Sequence, residues 1–170
     1  MDPLGPSSPA LPYTDTKPQG ASDFYFALNT TFRFIGKTLG ADALVTYWQD
    51  LGTNYMKPVW TRWKALGLEG IATYWRAFFD AEPGADVEVM RSPEQVVLEV
   101  KTCPAISRLR KGGRTIWPEF CQHCYYVSNA AAEQAGFTVR VEGGNGSCRQ
   151  TFLRAEAAPA AQNLEAIRSC

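Results

Sequence analysis

Apolar residues recur along this chain in two periods, and the change from one to the other falls near Gly84. Ser22 or Asp23 suits a helix cap, and Phe24, Leu28, Phe32, Ile35 and Leu39 then follow the 3.6-residue spacing of an amphipathic helix that Gly40 closes. A second helical stretch runs from Asp42 to about Met56 with Leu44, Tyr47, Trp48 and Leu51 on one side. Pro58 breaks or restarts it, because proline has no amide to give the preceding turn. Short helices are predicted at about 58–66 and 69–80, the second carrying Ile71, Tyr74, Trp75, Phe78 and Phe79. Pro83-Gly84 ends the helical half.

Beyond that point the period falls to two. Asp86–Arg91 and Gln95–Thr102 alternate, Val96, Leu98 and Val100 share a face, and Ser92-Pro93-Glu94 is the turn between the strands. Cys103-Pro104 opens a short helix that ends at Gly112-Gly113. A longer helix is predicted from Pro118 to Gly136, with proline at its first position and glycine past its end. Phe137, Val139 and Val141 face one way in a third strand, Gly143-Gly144-Asn145-Gly146 is a tight turn, and Ser147–Leu153 returns as the hairpin partner. Segregated elements of this kind predict an α+β domain: a helical N-terminal half, then a small antiparallel sheet in the order strand–strand–helix–helix–strand–strand, covered by helices. Residues 1–21, with Pro3, Pro6, Pro9, Pro12 and Pro18 among Gly, Ser and Thr, read as a disordered arm. Residues 22–154 form a single domain on this reading. Residues 155–170 form a flexible Ala/Pro/Gln-rich tail with a frayed helix at most, and Cys170 within it is incidental.

At 170 residues the chain is the size of one domain and large enough to bury a core without cross-links. Lys+Arg and Asp+Glu number 17 each and no basic run occurs, so the electrostatic footprint of a nucleic-acid binder is missing. No apolar stretch approaches the roughly 20 residues that span a bilayer. Met1-Asp2-Pro3-Leu4-Gly5-Pro6 carries neither the basic nor the apolar region of a secretory signal, so a cytoplasmic location is expected. Thiols stay reduced there, and clustered cysteines are more often catalytic or metal-binding than disulfide-bonded. The expected partner is a small-molecule substrate, with no nucleic acid and no membrane; a homo-oligomer is compatible with the composition.

The cysteines change the picture most. Cys103, Cys121, Cys124 and Cys148 crowd the second half, and Cys121 and Cys124 frame the only histidine, His123. Cys103 sits where a strand hands over to a helix, close to unpaired amides that favour thiolate, and Cys121 one turn into its helix feels the same effect more weakly. On a helix Cys121 and Cys124 fall about 300° apart and share a face, while His123 lies about 200° from Cys121 and is better placed for Cys124 or Cys103. A structural role is equally open. Phe120, Cys124, Val127, Ala131 and Ala135 form a helical stripe, and Cys148, Gln150 and Phe152 share a strand face, so both thiols also suit a core. His123 equally suits a solvated or hydrogen-bonded surface position.

A metal reading takes Cys103, Cys121, Cys124 and Cys148 as ligands of zinc or an iron–sulfur centre, although a lone C-x-x-C on a helix is only half a site. A thioredoxin-like dithiol is weaker, since no βαβ unit precedes it. Trp48, Trp60, Trp63 and Trp75 with Tyr47 and Tyr74 could line a pocket for a planar ligand, but such a stripe is more often core between helices. Arg108, Arg110, Arg114 and Arg149 are the cations available to hold a carboxylate.

The succession Cys103-Pro104, Trp117-Pro118-x-Phe120-Cys121-x-x-Cys124, Ala132-x-x-Ala135-Gly136-Phe137 and Gly144-x-Gly146-x-Cys148-x-x-x-Phe152 resembles the L-2-amino-thiazoline-4-carboxylic acid hydrolase-like family over about residues 95–153. More distantly it resembles the vinyl-reductase-type ligand-binding domains. The first resemblance implies hydrolysis of a carbon–nitrogen bond in a small carboxylate-bearing cyclic amidine, with no cofactor required. On that basis Cys103 or Cys121 is the nucleophile, His123 the acid or base, and Arg114, Arg149 and Cys148 line the substrate. The second implies a non-catalytic module in which the cysteines hold a metal, an iron–sulfur cluster or a tetrapyrrole, or serve as packing beside an apolar ligand.

Overall fold

The computed structural model describes residues 22–157 and 161–170, so the N-terminal arm expected at 1–21 lies outside the described residues. Four helices come first: α1 (Ser22–Thr38), α2 (Ala41–Asp50), α3 (Lys57–Leu66) and α4 (Leu68–Asp80). The strands β1 (Asp86–Arg91) and β2 (Gln95–Thr102) follow, then α5 (Pro104–Lys111), α6 (Gln122–Gln134), β3 (Phe137–Gly144) and β4 (Ser147–Arg154). This is the α+β architecture that the change of period predicts. No helix among the described residues is long and apolar enough to cross a membrane.

Three elements depart from expectation. The second helix stops at Asp50 and passes into a single π-helical turn, Leu51–Tyr55, before Pro58 opens α3. The wide turn lets Gly52 press against α6: a Cβ at Gly52 would stand 2.3 Å from the Val127 carbonyl oxygen and 2.8 Å from Ala130 Cβ. The helix predicted from Pro118 begins only at Gln122, because short-range bonds such as Phe120 N–H to Trp117 O (3.0 Å) and Gln122 N–H to Glu119 O (2.9 Å) wind residues 117–121 as turns. Cys121 is therefore the cap of α6 and not a residue one turn inside it.

The third departure is the tail. The expectation of a flexible segment with a frayed helix at most is corrected: residues 167–168 form a fifth strand, β5 (Ile167–Arg168), parallel to β3 at Gly143 and Gly144. The sheet is thus mixed, in the order β1-β2-β4-β3-β5. Ile167 is buried in the sheet's core with Leu164 packed beside it, and this apolar burial anchors the segment.

The register puts Val96, Leu98, Val100, Val139, Val141 and Phe152 on one face, against which α4 and α6 pack. Trp63 of α3 meets Phe152 edge-on at 5.7 Å between ring centres. A second apolar cluster forms between α1, α2 and α5 from Phe32, Leu44, Trp48, Ile106, Leu109 and Phe120. Trp48 and Trp63 are almost wholly enclosed, and Trp60 and Trp75 are half-buried against the first cluster, the packing role that such a stripe more often has. Cys103 and Cys121 touch both clusters and so lie along the seam between them.

Candidate functional site

The hairpin turn between β3 and β4 organises the cysteines. Asn145-Gly146 is a two-residue turn with positive φ at both positions (57° and 115°), the conformation that Asn-Gly favours. The Gly146 carbonyl accepts the Cys103 amide at 2.8 Å, which fixes the end of β2 and the start of α5 beside the turn. Cys148 follows on β4, opposite Val100 and Gly143 and on the helix-facing side of the sheet. The Cys170 amide donates to Pro118 O at 2.9 Å, so the tail lies along the turn that precedes α6. All five cysteines are free and half-buried.

Two sulfurs meet. Cys121 Sγ and Cys170 Sγ are 3.3 Å apart, and the Asn145 amide donates to Cys121 Sγ at 3.2 Å. Close approach of the backbone makes this arrangement fit. Gly144 has φ 131°, and a Cβ there would fall 2.5 Å from Arg168 O and 3.3 Å from Cys121 Cβ. Arg110 of α5 spans the turn from the other side, with Nη2 donating to Asn145 O at 3.2 Å and also to the Asn145 side-chain oxygen. Arg168 donates to Ser147 O at 3.3 Å.

This environment separates the thiols. The hydrogen bond from Cys121 lowers the Cys170 thiol below its usual range, and the amides of Cys121 and Asn145 and the Arg110 cation act in the same direction. The same bond to Cys170, with burial, pushes Cys121 up. The two thiols are thus pushed in opposite directions, and Cys170, the less enclosed of the two, is the one that ionises first. Burial pushes Cys103 up, although amides of Ile106 and Ala105 pull the other way. Burial likewise raises Cys124 well above its ordinary range and Cys148 to about 12. Neighbouring thiols add to these rises.

Several expected members stand elsewhere. His123 Nδ1 is bonded to Phe120 O, and its ring lies 4.8 Å from Phe120 and 5.3 Å from Phe32 between ring centres. Burial lowers its pKa, and its thiol neighbour is Cys124, at 3.8 Å from Nε2. It makes no hydrogen bond to Cys103 or Cys121, so the expected acid or base for those thiols is absent from that position. Arg149 alternates to the open face of the sheet, opposite Cys148's face, and pairs with Glu99 at 2.8 Å. A shallow depression of about 450 Å³ on that face is lined by Met90, Gln95, Val97, Arg149 and Thr151 and shares no residue with the thiol group. Arg114 lies over the Phe26 ring at 4.6 Å. Neither arginine is brought to the sulfurs.

Among the described residues, no three Cys, His, Asp or Glu side chains are grouped so as to hold a metal ion. The set Cys103, Cys121, Cys124 and Cys148 accordingly has no ligand geometry, and Cys124 Sγ is turned to His123 while Cys121 Sγ is turned to Cys170. The residues that the sequence reading missed are Cys170 and Asn145, while Arg110, one of the four arginines it named, is the one placed at this turn. The Asn-Gly turn was the available signal for Asn145. Nothing in the linear pattern connects Cys170 with Cys121.

No family model, curated protein or solved structure matches this chain.

Proposed function

We propose that the protein is a cysteine-dependent hydrolase of a small carboxylate-bearing cyclic amidine or related heterocycle, with Cys170 as nucleophile and Cys121 as its proton partner. The observation that carries this reading is the 3.3 Å contact between Cys121 Sγ and Cys170 Sγ beneath the Asn145 amide. A thiol needs to be ionised to attack, and a neighbouring donor that favours its ionised form is what nucleophilic catalysis requires. The substrate class comes from the resemblance of residues 95–153 to the 2-amino-thiazoline-4-carboxylate hydrolase pattern.

In such a ring the carbon between sulfur and nitrogen is electrophilic. Attack by the Cys170 thiolate forms a carbon–sulfur bond and moves the C=N electron pair onto nitrogen, which takes the proton from Cys121. The ring carbon–nitrogen bond then breaks, the nitrogen leaving as an amine. Water adds to the remaining thioimidate carbon and expels the Cys170 thiolate, so one water is consumed per ring opened. The turn amides of Asn145 and Gly146 face the sulfur pair and are placed to steady charge as it moves. Arg110, already at this turn, takes the carboxylate-holding role first given to Arg114 and Arg149.

The test is turnover of 2-amino-thiazoline-4-carboxylate by the purified chain. Cys170→Ala is expected to lower kcat/KM by about 10³-fold or more, and Cys121→Ala by roughly 10²-fold, the usual worth of a positioned proton donor. Undiminished ring opening in Cys170→Ala overturns the reading.

A further inference from the structure

The sulfur pair is also built to form a bond. Cys121 and Cys170 are 49 positions apart in the chain, yet their sulfurs stand 3.3 Å from one another. A disulfide requires an S–S distance of about 2.05 Å, so closure needs a movement of only about 1.2 Å. The pairing that the C-x-x-C spacing suggests is not the one made, because Cys124 Sγ rests against the His123 ring. Both partners are half-buried residues, neither of them enclosed in a core cluster. Cys170 is held from both sides: its amide bonds Pro118 O at 2.9 Å, and Ile167 three residues earlier is buried in the sheet.

We propose that Cys121 and Cys170 are a reversible oxidation site, closed to an intramolecular disulfide by hydrogen peroxide or an organic hydroperoxide. Cys170 sulfur attacks the peroxide oxygen; an S–O bond forms, the O–O bond breaks, and hydroxide leaves and is protonated. Cys121 sulfur then attacks the sulfenic acid, the S–S bond forms, the S–O bond breaks, and the departing hydroxide takes the Cys121 proton. Two electrons pass from the sulfurs to the peroxide. With hydrogen peroxide two waters leave, and with an organic hydroperoxide one alcohol and one water; the proton on the first leaving oxygen comes from solvent or from Cys170 itself. The amides of the Asn145-Gly146 turn and Arg110, which favour anionic sulfur at this place, direct the oxidant to this pair rather than to Cys103, Cys124 or Cys148. Closure ties the β5 segment covalently to the start of α6 and removes the nucleophile. That loss of hydrolysis rests on the hydrolase reading; the bond itself does not.

The experiment treats the whole reduced chain with one equivalent of hydrogen peroxide, blocks remaining thiols, and reads the intact mass and the cross-linked peptide. The expected result is a loss of about 2 Da with one peptide joining Cys121 to Cys170, reversed by dithiothreitol. Cys124→Ser and Cys148→Ser keep the cross-link. In Cys121→Ser no cross-link forms and Cys170 stops as a sulfenic acid that dimedone captures. A Cys121–Cys124 cross-link, or oxidation spread over all five thiols without a bond, overturns the proposal. Turnover on the same samples separates the two readings. A complete cross-link with full hydrolysis overturns Cys170 as nucleophile and leaves the oxidation site standing. Hydrolysis that depends on Cys170 without any cross-link does the reverse.

Discussion

At the scale of single residues, the ionisation of each thiol follows from what its sulfur touches and not from its place in a motif. Cys103 has the helix amides that its position before Pro104 predicts, and those of Ile106 and Ala105 do lower its pKa, but burial against both core clusters outweighs them. Cys121 and Cys170 are pushed in opposite directions. The consequence for stability has a definite sign. Cys103, Cys121, Cys124 and Cys148 are raised in the folded state, so each contributes stability that is fully present below the ordinary thiol pKa and is lost as pH rises above it. Urea denaturation is expected to show stability falling between pH 9 and pH 11. Cys148, raised to about 12, accounts for roughly 1.4 kcal/mol of that fall per pH unit across this range. Cys148→Ser is therefore expected to reduce the slope by about one proton. An unchanged slope would place Cys148 in an ordinary thiol environment. Cys170 is lowered and acts oppositely, adding stability as pH rises from its folded pKa toward the ordinary thiol value.

At the scale of elements, the sites of close backbone approach are set by small residues. The π-helical turn brings Gly52 onto α6, where Ala130 and Ala131 are buried. Gly52→Ala would drive a methyl into the Val127 carbonyl, and overpacking of this kind costs typically ~1–3 kcal/mol. The expected outcome is a lower urea midpoint with an unchanged m-value, and a stability equal to the unaltered chain would show that the turn can relax. The strands β1 and β2 begin and end where alternation and the Ser92-Pro93-Glu94 turn place them. The start of α6 was not legible: Pro118 suits a helix N-terminus, but the chain from Trp117 to Cys121 closes shorter turns, with Phe120 buried against Phe32 at 5.4 Å. A tertiary contact thus overrode a correct local preference, and it also moved the cap to Cys121.

At the scale of the whole molecule, the sheet and helices enclose two apolar clusters, and Cys103 and Cys121 lie on the seam between them. Phe152 is fully buried at the centre of the first cluster, between Trp63 (5.7 Å) and Trp75 (6.1 Å). Phe152→Ala is expected to cost ~3–5 kcal/mol, the range for removing an enclosed aromatic ring. Because Phe152 shares its strand with Cys148, a thermal melt and the peroxide reactivity of the thiols should both register the change. A loss below about 1 kcal/mol would mean that the aromatic neighbours refill the space.

The local pattern carried the α+β architecture, most of the helix and strand boundaries to within a residue or two, and a turn within Gly143–Gly146, because each depends on side chains adjacent in the chain or one turn away. The places of Cys103 and Cys148 at the ends of strands were legible for the same reason. The pairing of Cys121 with Cys170, the fifth strand and the orientations of His123 and Arg149 were not. The first two arise from docking a short tail, with Ile167 buried, against a hairpin edge far away in sequence, and the last two from the contacts of His123 with Phe32 and of Arg149 with Glu99. Contacts across such a distance follow from burial and backbone pairing in three dimensions, and no local period records them.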